Sequence, residues 1–263
     1  MKSNKHFLRK WHIVMQILPI MLVIIALKCI THFLGFEWIS LNALFTSVVA
    51  ATTFLIGFLI TGVISDYKES EKIPGEMAAS LEVLYDEAFI LGLTKKQAVS
   101  KEFIKFHKEF MDSLINWFWK EERTKTLLAK LSKYNEYFAK FEKYTQANFI
   151  TRAKQEQNNI RKMIIRVHSI RETSFVSSAY TIVEVLAIIL VVGLLILKLE
   201  PFYEALFFVT VVSFIVIYMI YLIRDLDNPF DYSGNGETGT EVSLKPIHDL
   251  YERLYEKTNG KDS

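Results

Sequence analysis

Few residues in this chain are of a type and spacing that could do chemistry, and most of those lack the right setting. Gly234, Gly236 and Gly239 match the glycine pattern of a dinucleotide-binding turn. That pattern works where a buried strand feeds the turn and a helix follows to hold the pyrophosphate. Here an apolar run and Asn228-Pro229 precede it and Pro246 follows, so it reads as a flexible tail loop. The six histidines are scattered, none paired at helical spacing, and neither a nucleophile elbow nor a lysine-bearing phosphate loop is present. His12 and His32 flank an apolar run, where an imidazole can sense protons or meet a metal. An enzyme is therefore the weaker class, and no cofactor is expected. The single cysteine, Cys29, excludes an intrachain disulfide and a cysteine-rich metal site.

Two other features carry more. Glu184 is a lone carboxylate inside an apolar run, sharing a helical stripe with Ser177 and Thr181. An ionisable group in such a place faces protein or a water cavity, so structural hydrogen bonding and a part in ion or proton movement both stay open. The second feature is the run 41–65, which holds no charged residue. At about 100° per residue, Ser47, Ala51, Phe54, Phe58, Thr61 and Ser65 share one face with Ala50 at its edge. Phe45, Val49, Ile56, Leu59, Ile60 and Val63 occupy the other. Lipid has no use for hydroxyls, so the first face should meet protein or water. Either its small residues allow close helix packing, or copies of the helix surround a pore. In a pore, Phe54 and Phe58 would form apolar rings that gate by dewetting, with Ser47, Thr61 and Ser65 lining wetter ends.

The elements that must position these residues follow from composition. The chain is 51% hydrophobic yet 23% charged, so the two kinds of residue must be segregated. A helix needs about 20 apolar residues to cross a bilayer. Four stretches qualify: 11–33, with Pro19 expected to kink it and Lys28 to snorkel outward; 41–65; 175–197; and 205–223. The first follows a basic segment as a signal peptide would, but no small-residue cleavage site follows it, so it reads as an uncleaved span. Short joints make two hairpins. The expected organisation is a tail over 1–10, a hairpin over 11–65, a helical insert over 66–174, a hairpin over 175–223 and a tail over 224–263.

Lys and Arg beside the spans gather on the side of both tails and the insert, from Lys2, Lys5, Arg9 and Lys10 to Arg171 and Arg224, while the other side has only Lys28 and Lys198. The first side is thus expected to be cytoplasmic. A net charge of +2 gives no support to a nucleic-acid partner. Within the insert, Phe103, Phe106, Phe110, Leu114 and Trp117 recur at three- and four-residue steps. Leu127, Leu131, Tyr134, Phe138, Phe141 and Phe149 continue the pattern beyond a polar break at 121–125. The fold class is all-α, with these stripes packed as a bundle or, alternatively, enclosing a small hydrophobic ligand.

The segment from Phe54 to Thr61, reading Phe-Leu-Ile-Gly-Phe-Leu-Ile-Thr and followed by Tyr67, Glu71 and Pro74, resembles the second span of bestrophin anion channels. Leu226-Asp227-Asn228-Pro229-Phe230 resembles their Asn-Pro-Phe segment, and the layout as a whole is similar to the bacterial bestrophin-like family. The resemblance implies a homopentamer in the inner membrane that passes inorganic anions, its neck formed by Phe54 and Phe58. By position Ala50 matches a third neck residue, larger in animal bestrophins, which implies a shorter or leakier neck here. Animal bestrophins follow Asn-Pro-Phe with acids that hold calcium; the carboxylates left here are Asp227, Asp231 and Glu237. A non-conducting scaffold or sensor, its insert binding a protein partner, is the rival reading.

Overall fold

The computed structural model describes residues 11–94, 97–172, 177–232 and 241–256, and the glycine-rich 234–239 segment and Glu237 lie outside them. Eight α-helices are described: α1 (His12–Phe33), α2 (Ala43–Thr94), α3 (Gln97–Phe118), α4 (Thr124–Glu142), α5 (Ala147–Glu172), α6 (Ser177–Leu195), α7 (Phe202–Asp227) and α8 (Lys245–Tyr251), the last running into a π-helical turn, Glu252–Glu256. β1 (Ile39–Ser40) and β2 (Leu197–Lys198) pair in parallel, Ile39 opposite Leu197. Among the described residues the fold is all-helical apart from this two-residue pair, which is too short to leave an alternating pattern in sequence.

Contacts divide the chain into two units, 1–67 with 174–228, and 68–173 with 229–263. In the first, α1 packs against α7 and α6, and α6 against α7. Its core joins Ile17, Met21 and Ile24 of α1, Ile56, Leu59 and Val63 of α2, Val183, Ala187 and Leu190 of α6, and Val209 and Val216 of α7. Among the described residues three helices are long and apolar enough to cross a membrane, His12–Phe33, Ala43–Leu93 and Phe202–Asp227, and Tyr180–Leu195 forms a shorter apolar helix. α1 continues through Pro19.

The structure revises two expectations here. The change in polarity at Asp66 does not end a helix, because α2 continues through Pro74 to Thr94. Ile73, Met77, Leu81, Leu84, Ala88 and Leu91 are buried at three- and four-residue steps, which gives the polar half of this helix its own apolar stripe. Lys28 does not snorkel outward. Its ammonium is fully buried, donating to Glu37 Oε1 at 2.7 Å and to the carbonyls of Leu197 at 2.6 Å and Leu195 at 3.3 Å. A buried cation needs such acceptors in place of water.

In the second unit α3 packs on α4 and α4 on α5. Phe103, Phe110, Leu114, Trp117, Leu127, Leu131, Tyr134, Phe138 and Phe141 are all buried, so the stripes fill a bundle core. Phe106 is buried too, stacked on Tyr137 at 5.0 Å, which makes neither Phe106 nor Phe110 available to a partner. The expected polar break is the α3–α4 turn, where Lys120 adopts a positive φ of 63°. His107 is fully buried with Nδ1 2.7 Å from the Tyr134 hydroxyl, and burial pushes its imidazole down to about 3. Arg171, at the end of α5, donates to the carbonyls of Trp117 at 3.1 Å, Phe118 at 2.8 Å and Phe230 at 3.2 Å. Its guanidinium also lies 4.8 Å from the centre of the Trp117 ring. It thereby caps the last carbonyls of α3 and holds the Pro229-Phe230 segment. Burial lowers its pKa, and nearby Tyr232 and Asp231 oppose that shift.

Candidate functional site

The first half of α2 has two unlike faces. Thr52, Ile56, Leu59 and Val63 are buried at three- and four-residue steps, which fixes that side against the core of the first unit. A helix so anchored turns the residues half a turn away outward. Ser47, Ala50, Phe54, Phe58, Thr61 and Ser65 are all exposed, so the structure brings the six onto one uncovered stripe. Phe54 and Phe58 are 72% and 74% exposed. At a rise of about 1.5 Å per residue their rings sit about 6 Å apart along the axis.

Two hydroxyls on this stripe find acceptors within the helix itself. Ser47 donates to the Ala43 carbonyl at 2.7 Å and Thr61 to that of Gly57 at 2.8 Å. Back-bonding satisfies the donor and leaves the oxygen's lone pairs facing out. Gly57, between the two phenylalanines, has no neighbour within 4 Å of the place a Cβ would take. The stripe therefore presents apolar rings flanked by weak polar ends.

Glu184 finds a cation. Arg224 of α7 donates to Glu184 Oε1 from Nη2 at 2.7 Å and from Nε at 3.2 Å. Glu184 is part-exposed and Arg224 exposed, so this pair ties α6 to α7 at their surface rather than within the core. The side chain of Ser177 lies outside the described ones, and Thr181 has an interaction of its own. Sequence could not announce the pair, since its members are 40 residues apart.

Of the acidic candidates, Asp227 and Asp231 are described, each in a different unit. Asp231 is ion-paired with Lys120 on the surface of the second unit. Asp227 ends α7 in the first unit and has its own interaction there. Among the described residues, no group of three His, Cys, Asp or Glu side chains could hold a metal ion. Lys28, Glu37 and His32 form a cluster that sequence did not assemble. The imidazole Nδ1 of His32 is 3.0 Å from Glu37 Oε2, and its ring stacks 4.0 Å above Phe202. For Glu37, burial favours the neutral acid, but the hydrogen bonds from Lys28 and His32 outweigh it and hold the carboxyl below its ordinary value.

The same fold occurs in known proteins. The family model of the bestrophin-like domain matches residues 40–233. No curated protein matches. Among solved structures, a bacterial bestrophin homologue from Klebsiella pneumoniae solved by zinc phasing superposes with a TM-score of 0.75 at 14% identity, covering 92% of this chain and 98% of that one. A point mutant of a bestrophin homologue from the same organism gives 0.76 at 15% identity over 92% and 98%. A point mutant described simply as a membrane protein gives 0.76 at 13% identity over 94% and 99%. At such identities the likeness establishes the fold.

Proposed function

Because the chain belongs to the bestrophin-like family, we propose that it is one subunit of an oligomeric membrane channel in which copies of the α2 stripe surround an axial pore. The observation that carries this reading is the stripe itself: six small, hydroxyl-bearing or aromatic residues, all uncovered, on a helix whose other face is locked into the core. In this account α1, the first half of α2, α6 and α7 are four spans of the inner membrane, with both tails and the second unit in the cytoplasm. The assembly is a pentamer, by resemblance to bestrophins.

Phe54 and Phe58 then form two successive apolar rings, with Ala50 a smaller third. A constriction of this kind passes ions that give up water cheaply, which favours weakly hydrated anions, and it can close by dewetting. Ser47 lines one end, and Thr61 and Ser65 the other. Glu184 and Arg224 brace α6 against α7 outside the conduction path. The Lys120 ammonium already occupies Asp231, which supports a channel that does not depend on calcium.

The test is recording from purified protein in planar bilayers with chloride and then iodide salts. Current should appear, and replacing Phe54 and Phe58 by Ala should raise conductance and flatten the preference for the larger anion. Silent bilayers across pH and voltage, or double mutants indistinguishable from the parent, would sink the reading.

A second reading has one observation of its own. Phe89, Ile90 and Leu93 of α2 are exposed in the second unit, as a scaffold binding a protein partner would need. Charged replacements at these three positions that abolish a specific complex while leaving currents intact would favour it.

A further inference from the structure

Lys28, Glu37 and His32 connect the two joints between helices in the first unit. The α1–α2 joint supplies Glu37, and the end of α6 and the joint after it supply the Leu195 and Leu197 carbonyls that share the Lys28 ammonium. Thr31 Oγ1 also donates to the Leu195 carbonyl at 3.0 Å. The Trp38 and Ile39 amides donate to the Ile196 carbonyl at 3.0 and 3.2 Å, and β1 pairs with β2. Lys28 is fully buried and Glu37 only 8% exposed, whereas His32 is 38% exposed. The cluster thus has a dry ion pair at its centre and one titratable side chain at its edge, open to solvent.

We propose that this cluster is a proton-sensitive latch between the two joints, with His32 as its sensor. Histidine changes charge between about pH 5 and 8. With His32 neutral, Lys28 and Glu37 balance each other. When His32 takes a proton, Glu37 holds a cation on each oxygen, Lys28 on Oε1 and His32 on Oε2, and the cationic ring gains the face of Phe202. Both changes tighten the joints. The other charged groups on the packed elements are the Lys198–Glu200 pair at 3.3 Å on the α6–α7 joint and Glu204 in the first turn of α7.

The assignment of the latch to the outer side rests on the topology proposed above. In that topology His32 alone of the six histidines faces outward, so a proton step on the outside addresses it selectively. The latch itself is read without any current, by hydrogen exchange of the Trp38 and Ile39 amides in detergent-solubilised protein. Against His32→Gln at the same pH, which removes the chemical pH dependence of exchange, the parent should exchange about two- to fivefold more slowly at pH 5.5 than at pH 8, the factor one part-exposed charge pair supports. His32→Lys, permanently cationic, should be slow at both. An identical ratio to His32→Gln at the two pH values overturns the latch. In bilayers, an outside step from pH 8 to 5.5 should change the current in the parent and not in His32→Gln. An equal response to an inside step overturns the outward assignment. Bilayers silent under all conditions would count against the channel, while the exchange data would still decide the latch.

Discussion

Replacing Arg171 by Met should destabilise the second unit. The side chain makes three hydrogen bonds to carbonyls, at 2.8, 3.1 and 3.2 Å, and covers the Trp117 ring. A hydrogen bond from a charged group contributes about 1.5–3 kcal/mol when its partner is left unsatisfied. Arg171 is only part-buried, and water can reach some of the freed carbonyls, so about 2–4 kcal/mol in total is the reasonable sum. Met keeps the stem's packing on Trp117 and isolates the polar loss. Arg171→Lys keeps the charge at the end of α5, but a single ammonium cannot span three carbonyls, and about half the loss should remain. Urea unfolding in detergent, followed by near-ultraviolet circular dichroism, reads the difference as a fall in midpoint at unchanged slope. A Met variant within about 0.5 kcal/mol of the parent would show that the carbonyls do not depend on this cap, as would a Lys variant equal to the parent.

Three further outcomes follow from the same physics. His107 is held neutral by burial, its imidazole pushed down to about 3. The unfolded chain therefore takes up a proton near pH 6.5 that the folded one refuses, and stability should fall by about 1.4 kcal/mol per unit as pH drops below that point. His107→Asn should remove this slope between pH 6.5 and 5, before carboxylates titrate; a parent with no slope there would refute the burial. At Gly92 a Cβ would meet Ser100 Oγ at 2.6 Å and Cβ at 2.9 Å, so Gly92→Ala should lose about 1–3 kcal/mol in thermal unfolding. Adding Ser100→Gly should recover part of that loss, and a stable single mutant would contradict the packing. Glu184→Gln and Arg224→Gln should each change stability slightly and the double no further than either, with a coupling of about 1 kcal/mol or less by double-mutant cycle.

Much of the architecture was legible because hydrophobic length and period are local signals. The runs forming α1, the first half of α2 and α7 stand out by composition, and the Phe103 to Trp117 stripe lies on one face of α3 as its spacing requires. The face of α2 that carries Phe54 and Phe58 could be drawn from the helical period alone, since the opposite face is rich in Ile, Leu and Val. The polar half of α2 was passed over because its charges mask a stripe, Ile73 to Leu91, that obeys the same period. The polar anchors were not legible at all. Lys28 meets carbonyls 167 and 169 residues away, and Arg171 meets partners 53 to 59 residues away. Hydrogen-bond geometry at such separations depends on the finished fold, and neither residue type nor spacing encodes it.

The proposed channel requires that the exposed stripe of α2 face a water-filled ion path rather than lipid. The chain offers a direct way to ask, since Cys29 is its single cysteine and a Cys29→Ala background leaves no native thiol. Cysteines placed singly at Ser47, Phe58, Thr61 and Ser65, and as controls at the buried Leu59 and Val63, can be challenged with a charged thiol reagent during bilayer recording. Modification at the four stripe positions should change anion current within seconds to minutes while the two controls do not respond. Current that flows unaltered when the stripe cysteines are shown by mass spectrometry to be modified would contradict it.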